Sequence, residues 1–209
     1  MTTRRWITRR NITVLGLATA GFLAAVAGPA SAAHAADAPP PALELAHDFQ
    51  IQENGYYCGP SATRVALSAQ GKVLTQDQVA QKLGTTPNGT DSINQVTDAL
   101  NGELGAGRYH SVTIPGPKAS PEQVAQLKAD VVTSLSAGKP IVANIAGTVT
   151  DEDGQVHSYQ GGHYLPVIGY AGNGETVRIA DSWDKDGNAH YTITADQLAN
   201  WTATRGYSA

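Results

Sequence analysis

Cysteine, methionine and the larger aromatic residues are scarce in this sequence. Its 209 residues include one cysteine, one methionine, two phenylalanines and three tryptophans, and only 15% of them are charged. One cysteine cannot close a disulfide within the chain, and this composition leaves little scope for metal or redox chemistry. We therefore expect no cofactor and no bound metal.

The first 36 residues have the pattern of an export signal. Four arginines and no acid come first, followed by the apolar run "NITVLGLATAGFLAAVAG" and the small-residue cleavage patterns Ala30-Ser31-Ala32 and Ala33-His34-Ala35. That order is typical of a secretory signal peptide. The pair Arg9-Arg10 fits a twin-arginine signal, and an arginine-rich Sec signal is the alternative. No later apolar run is long enough to span a bilayer, so we expect a secreted, extracellular protein without a membrane anchor after signal cleavage.

Removal of the signal peptide would change the charge of the protein. Residues 1–36 hold four of the 14 lysines and arginines and no acid, so 10 basic residues would remain against 18 acids, a net charge of −8. Such a surface repels nucleic acids and anionic lipids, and neither is an expected partner. After a proline-rich tether at residues 37–42, residues 43–209 suit one compact domain, which we expect to be a monomer.

The first half of the chain carries helix signals. Gly59-Pro60 predicts a helix that starts directly after Cys58 and ends at Gly71. Two runs, "LELAHDFQIQ" and "RYHSVTI", are interpreted as strands. Further helix starts, each marked by a capping or turn signal, are predicted at Thr75 with Gln78, near Asp91, and at Ser120 with Pro121 and Gln123.

From residue 140 onwards the pattern changes to strands. Four runs have strand character: "PIVANIAGTV", "GGHYLPVIGYAG", "ETVRIADSW" and "NAHYTITA". We interpret "DEDGQ" and "DKDGN" as hairpin turns, because Gly187 is misplaced for an EF-hand calcium loop and no bidentate Glu follows at the right offset. A helical N-terminal half followed by an antiparallel sheet predicts an α+β fold.

The lone cysteine, Cys58, lies in the segment "QENGYYCGPSATR", just ahead of a predicted helix. A free cysteine in an exported protein can form an intermolecular bridge, pack as an inert core residue or act as a nucleophile. Nucleophilic attack needs a thiolate, which a helix N-terminus and a nearby imidazolium both favour. The position of Cys58 meets the first condition, and a histidine with a group that orients it would meet the second.

Among the six histidines, His163 is the candidate partner of the cysteine. It opens an apolar strand directly after Gly161-Gly162, where neighbouring backbone can approach closely. His34 lies in the signal peptide, and His47 is too near Cys58 in sequence. The remaining three stand among polar neighbours and are predicted to lie at the surface: His110, His157 and His190.

The next strand, "ETVRIADSW", carries a carboxylate that the histidine could contact. If Gly172 is the tip of the intervening turn, residues i and 344 − i pair, and His163 lies directly opposite Asp181. Opposed side chains have Cβ atoms about 5 Å apart, near enough for an imidazole to hydrogen-bond a carboxylate. Taken alone, a hairpin ion pair without chemistry also explains these two residues, and a solvated strand end explains Gln52.

The segments "QENGYYCGPSATRVAL" and "GGHYLPVIGYAGNGETVRIADSW" together resemble the papain-like cysteine peptidases. More narrowly, they resemble the family of bacteriocin-processing, double-glycine leader peptidases, in which a Gln precedes Cys-Gly-Pro and a Gly-His strand is followed by a strand that ends in Asp. The resemblance implies a papain-like fold with Cys58 as nucleophile, His163 as base and then acid, and Asp181 as the orienting residue. It also implies Gln52 as an oxyanion donor beside the Cys58 N–H, and Trp183 as a cover over the His–Asp pair.

The sequence departs from plant and lysosomal papains in three ways. It lacks their second upstream Cys and the Trp that follows the nucleophile, Asp181 stands in place of their Asn, and the Cys-to-His distance of 105 residues is shorter than their ~130–150. We predict a stand-alone secreted cysteine peptidase, a hydrolase acting on peptide or protein substrates. Two alternatives remain: a Cys-dependent acyl transferase or amidase on the same fold, and a secreted binding module without catalysis.

Overall fold

The structure is a computed structural model that describes residues 38–183 and 189–209. The predicted signal peptide and the "DKDGN" turn lie outside the described residues. Within the described ranges, no helix combines the length and the apolar composition needed to cross a bilayer.

Helices fill most of the first half of the described chain, and strands most of the second half. The helices are α1 (Cys58–Ser68), α2 (Gln76–Leu83), α3 (Ile93–Leu104), α4 (Pro121–Ser136) and α5 (Ala195–Trp201). The strands are β1 (Leu43–Glu44), β2 (Ser111–Val112), β3 (Ile141–Thr150), β4 (Val156–Ala171), β5 (Thr176–Ala180), β6 (His190–Thr194) and β7 (Tyr207–Ser208).

Side-chain caps define two of the helix starts that the sequence predicts. At α2 the Gln78 N–H donates to Thr75 Oγ1, and the Thr75 N–H donates to Gln78 Oε1. Ser120 and Gln123 make the same reciprocal pair at α4, with Pro121 as the first helical residue. These capping boxes satisfy backbone donors that a helix start otherwise leaves without partners.

The strands form one antiparallel sheet, as the sequence predicts. The strand order is β2-β7-β3-β4-β5-β6, and β1 pairs with β4. The central hairpin joins β3 and β4. Its turn is the predicted "DEDGQ" segment, where Asp151 Oδ1 accepts the N–H groups of Asp153 and Gln155.

Helices cover both faces of this sheet. On one face, Ile141, Ala143 and Ile145 join residues of α4 and α5 in one apolar cluster. On the other face, Val142 joins a cluster built from α1, α2 and α3. Because side chains alternate between the faces of a strand, a strand covered on both sides reads as an unbroken apolar run. This explains the "PIVANIA" stretch, in which Asn144 is the one polar residue. The same packing places α1 directly against the sheet.

The fold differs from the sequence predictions in several short elements. The runs "LELAHDFQIQ" and "RYHSVTI" contain strands of two residues each, β1 and β2, rather than longer ones. Helix α5 was not predicted, although Thr194 and Gln197 form a capping box at its start. Strand β7 was not predicted either, because its two residues become a strand only by pairing with β2 and β3.

Candidate active site

Cys58 is the first residue of α1, and its side chain is half-buried. The preceding residue, Tyr57, makes no side-chain hydrogen bond to the helix, and the first turn contains no acid. The first N–H groups of a helix have no acceptor within the helix. At α1 these donors and the positive end of the helix dipole therefore favour the thiolate form of Cys58.

His163 lies in β4 and links Cys58 to Asp181. Its side chain is 5% exposed, its Nε2 lies 2.8 Å from Asp181 Oδ1, and its imidazole lies near enough to Cys58 to lower the pKa of the thiol. Because Nε2 is engaged by the carboxylate, Nδ1 is the ring nitrogen that remains for the sulfur. The structure therefore brings Cys58, His163 and Asp181 together, with His163 in the middle.

An irregularity in β4 sets the direction of the histidine. His163 pairs with Ile145 of β3, but the next pair along the ladder is Tyr159 with Gly147. Three residues of β4, 160–162, therefore lie opposite a single residue of β3. Within this stretch Gly162 has a φ of +97°, in the left-handed region that favours glycine. The Gly-Gly pair noted in the sequence therefore bends the strand just before His163.

Asp181 follows the last residue of β5 and is fully buried. Its Oδ2 accepts hydrogen bonds from the hydroxyls of Tyr159 at 2.7 Å and Tyr191 at 2.9 Å. Its Oδ1 accepts from the Trp183 N–H at 3.0 Å in addition to its contact with His163. A buried carboxylate is stable as an anion only when such donors replace water. This set of donors fixes the orientation of the carboxylate that holds the imidazole.

The three groups shift one another's pKa values. Burial raises the pKa of the Cys58 thiol, but the hydrogen bond and charge of His163 outweigh it and bring the pKa below its ordinary value. Burial lowers the pKa of His163, yet its bonds with Asp181 and Cys58 raise it to about 9. Burial raises the pKa of Asp181, and the His163 bond, followed by the Trp183 N–H, holds it below its usual range. These shifts favour a thiolate–imidazolium pair at neutral pH.

The predicted register between β4 and β5 is wrong, although the predicted contact is present. The predicted rule pairs β4 residue i with β5 residue 344 − i. Near the turn, residue i instead pairs with residue 347 − i. Beyond a bulge between Val167 and Gly169, it pairs with residue 346 − i. The turn takes four residues, 172–175, instead of a single tip residue. His163 is therefore not directly opposite Asp181, and it reaches the carboxylate diagonally beyond the end of β5.

Gln52 lies in the segment that connects β1 to α1, and its side chain is buried. Two hydrogen bonds join it to Ser182, the residue after Asp181. Its N–H donates to the Ser182 carbonyl at 3.0 Å, and its Oε1 accepts from the Ser182 hydroxyl at 3.2 Å. Its Nε2 donates to the Asn54 carbonyl at 2.6 Å. An amide nitrogen carries two hydrogens, so one donor of Gln52 is engaged by Asn54.

A cleft of about 210 Å³ opens beside Cys58 and His163. Its lining is mostly polar and is built from the sheet, the segment 88–91 and the turn after α5. Tyr164 connects two of these parts, because its hydroxyl donates to the Thr90 carbonyl at 3.1 Å and accepts from Asn144 Nδ2 at 3.0 Å. The cysteine and the histidine are therefore accessible to a ligand from one side.

Residues 44–209 match the family described as Peptidase_C39 like. The chain belongs to that family. A comparison with curated proteins found no match. Membership makes the chain a C39-like cysteine peptidase in family and fold.

Three solved structures resemble this C39-like chain. One is described as a C39-like peptidase from Bacillus anthracis: identity is 15%, the TM-score is 0.52, and the match covers 80% of this chain and 96% of that one. The peptidase domain of Streptococcus ComA matches at 12% identity and TM-score 0.49, and the match covers 78% of this chain and 96% of that one. The bromelain protease of Ananas comosus matches at 12% identity and TM-score 0.49, and the match covers 81% of this chain and 97% of that one. The helices and antiparallel sheet described above, together with the first of these structures, confirm the predicted α+β, papain-like fold.

The other histidines of this C39-like chain lie elsewhere. The surface prediction is wrong for His157, which is buried, bonds Asp151 Oδ2 at 3.0 Å and stacks on Tyr191 with ring centroids 3.7 Å apart. Polar neighbours in sequence did not reveal this, because the partners come from the turn and from β6. His190 is half-buried against His47, and His110 is exposed.

The residue that lies against the imidazole of this C39-like site is Tyr159. Its ring stacks on His163 with centroids 4.1 Å apart and an interplanar angle of 16°. Trp183, which the resemblance implies as the cover, is 40% exposed and contacts the site through its N–H bond to Asp181. No sequence motif singles out Tyr159 or Tyr191, since both approach Asp181 only through the tertiary fold.

Proposed function

We propose that this protein is a cysteine peptidase that hydrolyses peptide or amide bonds. Cys58 is the nucleophile, His163 the base and then the acid, and Asp181 the residue that orients the imidazole. The observation that carries the proposal is the placement of His163 between the Cys58 thiol and a buried carboxylate that it hydrogen-bonds, with the thiol open to a cleft. This is the arrangement that an activated thiol nucleophile requires.

The reaction follows from the charges of the pair. The Cys58 thiolate attacks the carbonyl carbon, and the carbonyl oxygen takes the negative charge. The intermediate then collapses, the C–N bond breaks, and the imidazolium of His163 gives its proton to the leaving amine. A water molecule next attacks the thioester while His163 takes its proton, and the carboxylic acid leaves as the Cys58 thiolate re-forms.

Stabilisation of the oxyanion is assigned to Gln52 and the Cys58 backbone N–H. Gln52 precedes Cys58 by six residues, and its anchoring to Ser182 and Asn54 keeps its amide buried and in place. The second hydrogen of Nε2 is the donor assigned to the oxyanion. A preorganised donor of this kind is typically worth about 3–4 kcal/mol of the barrier.

The organisation of the whole chain is also part of the proposal. Residues 1–36 act as a Sec or twin-arginine signal peptide, residues 37–42 as a tether and residues 43–209 as the peptidase domain. The mature protein would be a secreted monomer that acts on peptide or protein substrates outside the cell. Its net negative charge argues against nucleic acid and anionic membrane partners.

The decisive experiment measures alkylation of Cys58 by iodoacetamide as a function of pH in the purified protein and in His163→Ala. We expect a thiol pKa well below the ~8.5 of a free cysteine, and a rise of that pKa in the variant. Incubation with a peptide mixture and mass spectrometry then tests hydrolysis, with Cys58→Ala as the control. If the thiol pKa is ordinary and does not change in His163→Ala, and no peptide is cleaved, the protein is a binding module without catalysis.

Hydrolysis and acyl transfer are separated by adding an amine acceptor to the same peptide mixture. A hydrolase gives products that end in a carboxylic acid even when the amine is abundant. Products that carry the amine as the main species would assign the Cys-dependent transferase alternative instead. Both outcomes require Cys58, so the Cys58→Ala control applies to either.

A further inference from the structure

Arg205 lines the same cleft as Cys58 and His163, and its backbone is firmly held. It lies in the turn after α5, where its N–H donates to the Thr202 carbonyl at 2.9 Å. The following residue, Gly206, donates to the Thr202 carbonyl at 2.7 Å and accepts from the Asn144 N–H at 3.0 Å. The place of this arginine beside the cleft is therefore fixed by the sheet and not by a free loop.

The guanidinium of Arg205 lies against the backbone of Gly162. A Cβ atom at Gly162 would stand 3.0 Å from Nη1, 3.3 Å from Cζ and 3.4 Å from Nη2. The absence of a side chain at that position makes room for the planar cation one residue before His163. The cation is thus held next to the strand that carries the imidazole.

In the described part of the chain, the Arg205 guanidinium has neither an ion pair nor a hydrogen-bond acceptor. Arg64 makes the contrast clear, because its guanidinium donates to the carbonyls of Leu74 and Asp48 and to the Asp48 carboxylate. An arginine is always charged and offers five N–H donors in a fork that matches a carboxylate. A half-buried arginine with unused donors in a cleft is therefore suited to receive an anionic ligand.

The opposite charge in the cleft belongs to a different segment. Asp91 lines the cleft with residues 88–90 and is exposed, whereas Arg205 is placed against Gly162. The two charged groups do not form an ion pair. The remaining lining includes the uncharged polar side chains of Asn88 and Asn144. Apart from the Cys58–His163 pair, a ligand in the cleft meets the Arg205 cation at the His163 side and the Asp91 anion at the 88–91 side.

We propose that Arg205 forms a carboxylate-binding subsite, so that the preferred substrates are peptides with a carboxylate next to the scissile bond. The carboxylate belongs either to an Asp or Glu side chain or to the C-terminus of the peptide. The carboxylate must lie close to the scissile bond because the cleft is small: Arg205, Cys58 and His163 all line the same space of about 210 Å³. This inference rests on the proposed peptidase function.

A first test needs no substrate. Cys58 is alkylated with anionic iodoacetate and with neutral iodoacetamide. The rate constant for iodoacetate is divided by that for iodoacetamide, and this ratio is compared between wild type and Arg205→Gln. Thiolate reactivity cancels in the ratio, so a change reports the charge of the cleft. We expect the ratio to fall about two- to fivefold in Arg205→Gln, the range for a partly exposed charge pair.

Two variants serve as matched controls for this ratio. Lys118→Gln removes an exposed positive charge that lines a different surface cavity, and we expect an unchanged ratio. Asp91→Asn removes the negative charge of the cleft, and we expect the ratio to rise. An equal ratio in wild type and Arg205→Gln overturns the subsite. Failure of both reagents to alkylate wild-type Cys58 overturns the peptidase proposal, and the subsite with it.

A second test identifies the source of the carboxylate. Fluorogenic peptides carry Asp or Asn at one position at a time around the scissile bond, and a separate pair carries a free or an amidated C-terminus. We expect one Asp peptide, or the free C-terminus, to exceed its neutral partner in kcat/KM by roughly 10- to 100-fold, as for a hydrogen-bonded charge. In Arg205→Gln that preference disappears. Cleavage of all peptides without any charge preference overturns the subsite but leaves the peptidase function standing.

Discussion

The phenol ring of Tyr159 lies flat against the imidazole of His163, with ring centroids 4.1 Å apart. The Tyr159 hydroxyl also donates to Asp181 Oδ2 at 2.7 Å. One side chain therefore covers a face of the imidazole and positions the carboxylate that bonds it. Residues four apart in a regular strand are separated by about 13 Å, so this stack depends on the bend at the Gly-Gly pair between the two rings.

Tyr159→Phe keeps the ring and removes the hydroxyl donor to a buried anion. We expect the free energy of unfolding at pH 7 to fall by about 1.5–3 kcal/mol, the range for a hydrogen bond to a charged group. Urea denaturation measures this. Tyr56→Phe is the control, since the Tyr56 hydroxyl has no hydrogen bond within the described residues. Equal stability of the two variants would contradict the role of the Tyr159 hydroxyl.

The pH dependence of kcat/KM should follow the thiolate–imidazolium pair. Activity requires a pH above the lowered pKa of Cys58 and below the raised pKa of His163, so we expect a decline as pH rises through about 9. Asp181→Asn removes the charge that holds the imidazole protonated, and its alkaline limb should move to lower pH. An alkaline limb that stays in place in this variant would contradict the assigned role of Asp181.

Gln52→Ala should lower kcat by about 10²–10³ with little change in KM, because an oxyanion donor acts in the transition state alone. Steady-state kinetics on a cleaved peptide measures both constants. Gln76→Ala is the matched control: Gln76 is buried and holds the same segment through the Ile51 carbonyl and the Glu53 N–H. If both variants lose the same fraction of kcat, Gln52 only supports the segment.

Gly59→Ala tests the glycine that follows the cysteine. A Cβ at Gly59 would overlap Thr90 Oγ1, and Thr90 lines the cleft. We expect kcat/KM to fall and the free energy of unfolding to drop by about 1–3 kcal/mol, as for other overpacked sites. Thr90→Ala in the same chain removes the overlapping oxygen and should restore part of both losses. A double variant no better than Gly59→Ala would contradict this steric explanation.

Local signals predicted the elements that carry the site. The capping pairs at Thr75 and Ser120 involve residues three apart, and the apolar runs after residue 140 are continuous in sequence, so short-range chemistry is sufficient for both. The strand register was not predictable in this way. Gly172 marks the position of the turn but not its length of four residues, and no pattern marks the bulge near Gly169. Together they shift the pairing by two or three residues.

The sequence by itself determined a lone cysteine at a helix start, a histidine after two glycines and an aspartate after the next strand. Each of these depends on neighbours within a few residues. The tertiary structure alone decided that Tyr159 and Tyr191 hold Asp181, and that Arg205 faces the cleft. These contacts join residues 10 to about 150 positions apart, and their geometry depends on the bulges, turns and helix packing of the whole sheet. Such long-range packing has no local signature in the chain.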